Sequence, residues 1–380
     1  MTSLQSRQPW TDALAAAGLF LCCFALVHTW FWAHGQLVDW PGYKDYADAI
    51  LHHGRVPYRD FPVEYPPGAL PVFLLPALVG SYAWSFAWTM ALCGVALVAV
   101  LAFMRPFAAY YAACAPLLAG SLILSRFDLW PALLLVGALW ALLAERHRLG
   151  WALLGAAVAA KLWPLVVVPL ALVWSWRRGR PWSALAGLAV VVLVFAPFAV
   201  LAPGGLWHSL EGQASRPLQI ESLGGALFMA LGHPHVVTTH GSQNVAGHGA
   251  AGAALTLVEA AVIVAVWVAF ARGPADRDRF LRSVAASVCA FVAFGKVLSP
   301  QYVLWLIPLV PLVRGRRGLA ATAVLTLACV LTQVWFPERY WDYALHAQLA
   351  PVVLARDLVL VALLVLLVLP ELDRDADGVA

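Results

Sequence analysis

The chain has 380 residues, of which 62% are hydrophobic and only 12% charged, with a formal net charge of +4. A mean hydropathy of +0.80 excludes a water-soluble globular protein. The near-balance of charge gives no reason to expect a nucleic-acid partner, and the placement of the charges matters more than their sum.

Apolar segments of about 20 residues, the length a helix needs to cross ~30 Å of hydrocarbon, recur along the whole chain. In chain order the predicted membrane helices are 12–32, 84–104, 106–124, 128–144, 150–163, 164–176, 182–201, 250–271, 281–297, 301–313, 318–336 and 350–369. The first lacks a small-residue cleavage motif and leads into further membrane segments, so it reads as a retained helix and not a cleaved signal. The expected fold class is an all-α integral membrane protein of about 12 transmembrane helices, with residues 1–380 forming a single polytopic domain.

Between the first two helices lies "GRVPYRDFPVEYPPG", residues 54–68, where four prolines alternate with Arg55, Arg59, Asp60 and Glu64. "YPP" suits a helix start with proline in its first turn. The apolar run 66–80 that follows is hydrophobic enough to be counted as a span. Segments 150–163 and 164–176 are each only about 20 Å long at 1.5 Å per residue. They meet at "KLWP", where Pro164 cannot donate to a continuous helix, and so read as a hairpin with Lys161 at its tip. The six cysteines all fall in apolar segments without metal-ligand spacing, which makes them packing residues without disulfides. The acidic end 371–380 reads as a disordered cytoplasmic tail.

Charge sets the expected orientation. The arginine-rich connections are Glu145 to Arg148, Arg177 to Arg180, Arg272 to Arg282 and Arg314 to Arg317. With the N-terminus inside, every one falls in the cytoplasm, as the positive-inside rule demands. The loops 33–83, 125–127, 202–249, 298–300 and 337–349 then face outward and carry most of the acidic residues.

The outward charges form a constellation. Beside Asp39, Lys44, Asp45, Asp48 and the 54–68 charges stand Arg126 and Asp128 in "SRFD", Lys161, Arg216 and Glu221 in "RPLQIES", and Lys296 in "FGKVLSPQY". An ionisable residue in a membrane helix costs roughly 2.5–3.5 kcal/mol on insertion scales, so Lys161 and Lys296 each need a reason. One lysine near a helix end reads equally well as a side chain snorkelling to the headgroups. Four outward cations at helix ends, Lys161, Lys296, Arg126 and Arg216, suit a lipid-linked phosphate instead. A carboxylate beside them suits proton abstraction from a hydroxyl. Asp128 also reads as a helix cap paired with Arg126, and "SPQY" with Gln301 and Tyr302 as a helix start. His233, His235, His240 and His248 lie in a glycine-rich stretch that reads as a flexible loop, and their spacing matches no common metal template. Glu259, in the middle of an apolar run, reads as a buried polar contact.

"VDWPGYKDYADAILHHGRVPYRDFPVEYPPGALPVF" resembles the first outer loop of GT-C glycosyltransferases, specifically family 87, the polyprenyl-phosphate-mannose-dependent mannosyltransferases common in actinobacteria. The matching features are Asp39, Tyr43, the small-residue helix Ala47 to Leu51, Gly54, Pro57-Tyr58 and Tyr65-Pro66-Pro67. Downstream, "RFDLWPALL", "AAKLWPLVVVPL", "RPLQIES" and "KVLSPQYVLW" are similar to family segments, so the resemblance covers most of the chain. It implies outer-face loops with interfacial helices over a sugar-transfer cavity. Asp39 would be the general base, its alternative reading being a helix cap before Pro41. Lys161, Lys296, Arg126 and Arg216 would bind the donor phosphate, and Asp60, Glu64, Tyr65, Asp128, Glu221, Gln301 and Tyr302 are candidates for substrate contact. The implied partners are a polyprenyl-phosphate sugar donor, a lipid-linked or glycan acceptor and membrane lipids, with no cofactor and no metal. The competing class is a transporter or flippase of a lipid-linked or anionic solute, which predicts charge at mid-depth in both halves. A second enzyme reading is transfer of another polyprenyl-phosphate sugar, such as arabinose.

Overall fold

The computed structural model describes residues 8–33, 39–232 and 234–369. The expectations for His233 and for the tail 371–380 lie outside the described residues. The architecture is all-α, with one small β-hairpin on the surface of a helical bundle.

In chain order, α1 (Gln8–Ala33) is followed by α2 (Trp40–Leu51), and then by a 3₁₀ turn (Pro67–Ala69) running into α3 (Leu70–Ala77). The long α4 (Tyr82–Met104) comes next, and then three short pieces, α5 (Pro106–Ala113), α6 (Ala115–Ala119) and α7 (Leu122–Ser125). A pair of helices, α8 (Leu129–Leu143) and α9 (His147–Ala160), precedes a 3₁₀ turn (Trp163–Val167) and α10 (Val168–Arg177). The chain continues through α11 (Ala184–Leu201), α12 (Pro203–Ala214) and α13 (Leu223–Leu231). Strands β1 (Val236–Thr239) and β2 (Ser242–Val245) then pair antiparallel, Val236 opposite Val245 and Thr239 opposite Ser242. The last elements are α14 (Gly249–Arg272), α15 (Arg277–Phe294), α16 (Val303–Leu306), α17 (Gly315–Trp335), α18 (Tyr340–His346) and α19 (Ala350–Val368).

Among the described residues, six helical segments are long and apolar enough to cross a membrane: Gln8–Trp32, Tyr82–Met104, Pro181–Leu201, Gly249–Arg272, Gly315–Trp335 and Ala350–Val368. These match six of the expected spans. Of the other six, α15 is continuous but opens with Arg277, Asp278, Arg279 and Arg282, and the rest are shorter or broken for local reasons. Segment 106–124 breaks at Cys114, where Pro116 follows, and again at Gly120, whose φ of 58° is left-handed. Helix α8 has 15 residues, most of them buried, so it lies inside the bundle. The expected hairpin at "KLWP" is present. The Trp151 Nε1 near the start of the first arm donates to Ser175 Oγ near the end of the second at 3.0 Å, and Lys161 sits between the arms. Gly155 and Gly187 let α9 and α11 cross backbone to backbone, where a Cβ on either would collide with the other helix.

The two ends of the bundle differ. Ring contacts set α1 and α4 antiparallel, with Trp10 on Phe103 at 4.8 Å at one end and His28 on Trp84 at 6.3 Å at the other. Every arginine-rich connection meets a neighbour at the Trp10 end. Arg178 pairs with Glu145 at 3.0 Å and reaches Ala275 O at 3.3 Å. Arg177 donates to Ala271 O and Gly273 O, and Arg314 stands 3.5 Å from Asp278. Arg277 donates to Met104 O at 3.3 Å and Arg105 to Pro311 O at 2.6 Å. Segment 66–80 starts and finishes at the other end: Tyr82, which opens α4, donates to Phe73 O at 3.0 Å and lies 6.2 Å from Trp40. Its helical part, Pro67–Ala77, falls well short of the ~20 residues of a span. It enters the bundle and returns.

Candidate active site

A cavity of about 900 Å³ opens at the end away from the arginine clusters. The four expected cations, Arg126, Lys161, Arg216 and Lys296, all line it, as do Asp39, Glu64 and Glu221. Residues separated by more than 250 positions in the chain thus share one wall.

Asp39 precedes α2, and its backbone is in the positive-φ region, at φ 76°. Its carboxylate caps nothing in that helix. It pairs instead with the Arg126 guanidinium, so the cap reading does not describe this residue. A non-glycine residue at such a φ is strained by roughly 1–3 kcal/mol. That strain turns the carboxylate into the cavity.

Arg126 follows α7, where the helix stops and the backbone becomes extended. Its side chain is half-buried, and its buried Nε has no protein partner. Two residues on, Asp128 is fully buried at the start of α8. Its Oδ1 accepts from Lys161 Nζ at 2.6 Å and from Trp305 Nε1 at 2.6 Å, while Oδ2 stays unpartnered. Asp128 therefore lies behind the wall and does not line it. Its cation partner is Lys161, while Arg126 goes to Asp39. Lys161 reaches the cavity because α9 ends at Ala160 and residue 161 is extended. The ammonium sits 4.6 Å from the Phe127 ring and 5.4 Å from that of Trp305, contacts that hold a cation by ring electrostatics.

Arg216 follows α12. Its Nη2 donates to His240 O at 2.9 Å, Nη1 lies 3.7 Å from Glu64 Oε1, and Nε has no protein partner. Lys296 follows α15 and donates to Ala214 O at 2.9 Å. Tyr65 packs edge-on against Phe127 at 4.8 Å, and Tyr302 stacks on Trp305 at 3.9 Å. Gln301 is buried beside it with Oε1 unpartnered. Glu221 is 2% exposed, with Oε2 unpartnered, and burial pushes its carboxyl up to about 7.

Asp60 is placed elsewhere. It is outside the cavity wall, bonded to Arg59 Nε at 2.8 Å and to Val56 N at 2.7 Å. The Arg59 guanidinium holds its carboxyl down to about 2. It organises the 54–61 turn.

The histidine stretch is not a flexible loop but the β-hairpin, turned at His240-Gly241, whose φ values of 52° and 66° are both left-handed. An X-Gly pair directly after the β-branched run Val236 to Thr239 carries that signal. His248 Nδ1 bonds Ala246 O at 2.7 Å, and among the described residues the histidines join no group of metal ligands. Glu259 lines the cavity, near Lys296.

Sequence reasoning missed Gln219, Tyr340 and Trp341 as cavity residues, and it missed Arg356 and Asp357 altogether. The last two are completely buried in α19, with Arg356 Nε 2.6 Å from Asp357 Oδ1. Arg356 Nη2 donates to Glu221 O at 2.9 Å, and Tyr343 OH to Ile220 O at 2.6 Å. A charged pair in the middle of an apolar run was the available signal, since such residues are rare in membrane helices unless they act.

In chemical terms, the wall combines cations suited to a phosphate with carboxylates and unpartnered amide oxygens suited to hydroxyls. A family model described as glycosyltransferase family 87 matches residues 63–300. No curated protein matches the sequence. Asp39 lies before the matched residues, and Gln301, Tyr302, Tyr340 and Arg356 lie after them.

Proposed function

The chain belongs to glycosyltransferase family 87 and is a membrane glycosyltransferase, and from that premise we propose that it moves mannose from a polyprenyl-phosphate donor to a lipid-linked or glycan acceptor at the outer face of the cell membrane. One observation carries this reading: four cations from four separate elements converge with Asp39 on a single cavity. Cations converging at one end of a membrane bundle suit the phosphate of a lipid-linked donor. The opposite end holds the arginine clusters, which the positive-inside rule assigns to the cytoplasm. On this reading the chain passes twelve times between the two ends, six times by long helices and six by shorter or broken ones.

The reaction is a single displacement. The acceptor oxygen attacks the anomeric carbon as its proton passes to the Asp39 carboxylate. The bond from that carbon to the phosphate oxygen breaks, and polyprenyl phosphate leaves with the electron pair. Configuration inverts, so a β-linked donor gives an α-mannoside. Lys161, Lys296, Arg126 and Arg216 stabilise the charge growing on the leaving phosphate, the kind of preorganised interaction that contributes most in such reactions. Arg126 links the two tasks, since it pairs with the base and lines the phosphate wall.

Incubating membranes with radiolabelled polyprenyl-phosphate-mannose and lipid extracts tests this directly. Labelled glycolipid is expected only when the chain is present. Label transferred from a polyprenyl-phosphate-arabinose donor and not from the mannose donor would overturn the sugar assignment.

A further inference from the structure

We infer that Gln219, Glu221 and Gln301 form a subsite for the vicinal hydroxyl groups of a sugar, beside the cavity cations and anchored from behind by Arg356. This deepens the glycosyltransfer reading above and rests on it for the identity of the ligand.

Three oxygens on this part of the wall, Gln219 Oε1, Glu221 Oε2 and Gln301 Oε1, are buried and have no partner in the protein. All three residues line the cavity. The two amide oxygens only accept hydrogen bonds, as does the Glu221 carboxylate when ionised. A phosphate brings further acceptors and is repelled by them, whereas a hydroxyl brings the donor each one lacks. Buried polar atoms left unmade are costly, so their retention around a cavity points to a ligand that satisfies them. A carboxylate with amide oxygens nearby is suited to a polyol. Tyr340 and Trp341 line the same region and offer ring faces against which a sugar can lie.

The backbone of 219–222 is fixed from several directions. Gln219 N donates to Lys296 O at 3.0 Å, Ile220 N to Gln243 O at 3.1 Å, and Ser222 Oγ to Gln219 O at 2.7 Å. Tyr343 OH and Arg356 Nη2 then hold the carbonyls of Ile220 and Glu221. Arg356 is thus a positioning residue, and a fully buried charge in α19 acquires a reason. Its partner Asp357 offsets the charge it brings into the bundle.

The test uses purified full-length protein in detergent. Glu221→Gln keeps the shape but removes the charge, and should raise the KM for the sugar whose hydroxyls bind there by roughly tenfold, with a smaller change in kcat. A rise in acceptor KM alone assigns the subsite to the acceptor, and a rise in donor KM alone to the transferred sugar. The double variant Arg356→Met with Asp357→Leu removes both buried charges together, so no lone charge remains. It should stay folded and reproduce the KM rise. Gln301→Leu, from a different element, gives an independent route if either variant fails to accumulate. Saturation-transfer NMR with methyl α-mannopyranoside reads the subsite without turnover, and signal is expected from the unmodified protein and not from Glu221→Gln. If that signal pattern appears while no polyprenyl-phosphate sugar is ever used, the donor reading falls and the subsite stands. Unchanged KM values and unchanged NMR signal in both Glu221→Gln and Gln301→Leu would overturn the subsite.

Discussion

The two ends of this bundle use the same residue types to opposite effect. At the arginine-rich end the cations are taken up by backbone carbonyls and acids: Arg177 by Ala271 O and Gly273 O, Arg105 by Pro311 O and Val313 O, Arg178 by Glu145. At the cavity end, Arg126 Nε, Arg216 Nε, Asp128 Oδ2 and Glu221 Oε2 are buried and unpartnered. Among the described residues, none of the arginines at the first end appears with a buried, unpartnered nitrogen. Charge that ties helix ends together is satisfied within the fold, while charge meant for a substrate keeps bonding capacity in reserve. Satisfaction, more than charge count, separates structure from site.

The most decisive break of this comparison is sidedness, because its outcome is all or none. Cysteines at His240 and at Glu338, both exposed on the cavity end, should label from outside with an impermeant maleimide, and one at the exposed Arg316 should not. Tyr343, though close to Glu338 in sequence, is fully buried and unsuitable for labelling. Labelling of Arg316→Cys with none at the other two would put the cavity in the cytoplasm.

The next largest effect is at the base. Asp39→Asn keeps the shape and tolerates positive φ, as asparagine commonly does. It cannot take up a proton. Transfer should fall about 10²–10⁴-fold while donor binding persists, as measured by initial rates and by donor titration. Full activity would move the base to Glu64 or Glu221.

The cavity cations themselves divide into two kinds. Lys296 Nζ donates to Ala214 O and holds no buried charge in place, and Lys296→Ala should weaken donor use by about ten- to a hundredfold with an unchanged melting temperature. Lys161 holds the fully buried Asp128. Lys161→Ala should therefore add a stability loss of about 3–5 kcal/mol to its kinetic effect, because a carboxylate would be left without its cation. Thermal unfolding of the two variants side by side checks the division. Equal melting temperatures would mean that Asp128 sheds its charge without cost.

Much of this was legible in the sequence because it followed from local rules. The alternation of arginine clusters gave the two ends, and lysines inside apolar runs gave Lys161 and Lys296. What was hidden depended on contacts across the chain. The Arg356-Asp357 pair stands out inside an apolar run, but its task stays hidden until Glu221, 135 positions earlier, is seen against it. Asp60 and Glu64 lie in one proline-rich stretch, and no local rule distinguishes them. The fold puts Glu64 into the cavity beside Arg216 and leaves Asp60 on the Arg59 side of a turn. Hydropathy alone did not tell the six long apolar helices from the shorter, buried segments such as α8, because it registers both as apolar runs.

The smallest expected effect sharpens the comparison most finely, since it has opposite sign at the two ends. Glu221 is buried, and despite Tyr340 and Arg356 nearby its carboxyl rises from 4.5 to about 7. In this case the folded state holds the proton more tightly than the unfolded chain. The stability tied to that proton is complete below about 4.5 and is lost as pH rises through about 7. Glutamine never ionises, so Glu221→Gln should melt with the unmodified protein near pH 4.5 and above it at pH 8, by on the order of a few °C. Glu145, in the arginine cluster, behaves in reverse. Slight burial opposes the shift, but the bonds from His147 and Arg178 together bring its carboxyl below the ordinary value. Its contribution is present above the ordinary carboxylate range and is lost as pH falls through the lowered value. Glu145→Gln should therefore melt below the unmodified protein at pH 8 and converge with it in acid, with a smaller shift because the pair is solvent-screened. Melting curves of both variants at the two pH values give the signs. The same sign at both ends would mean that the carboxylates occupy like environments, and the distinction between a satisfied end and a poised one would fail at the residues where it is most directly measured.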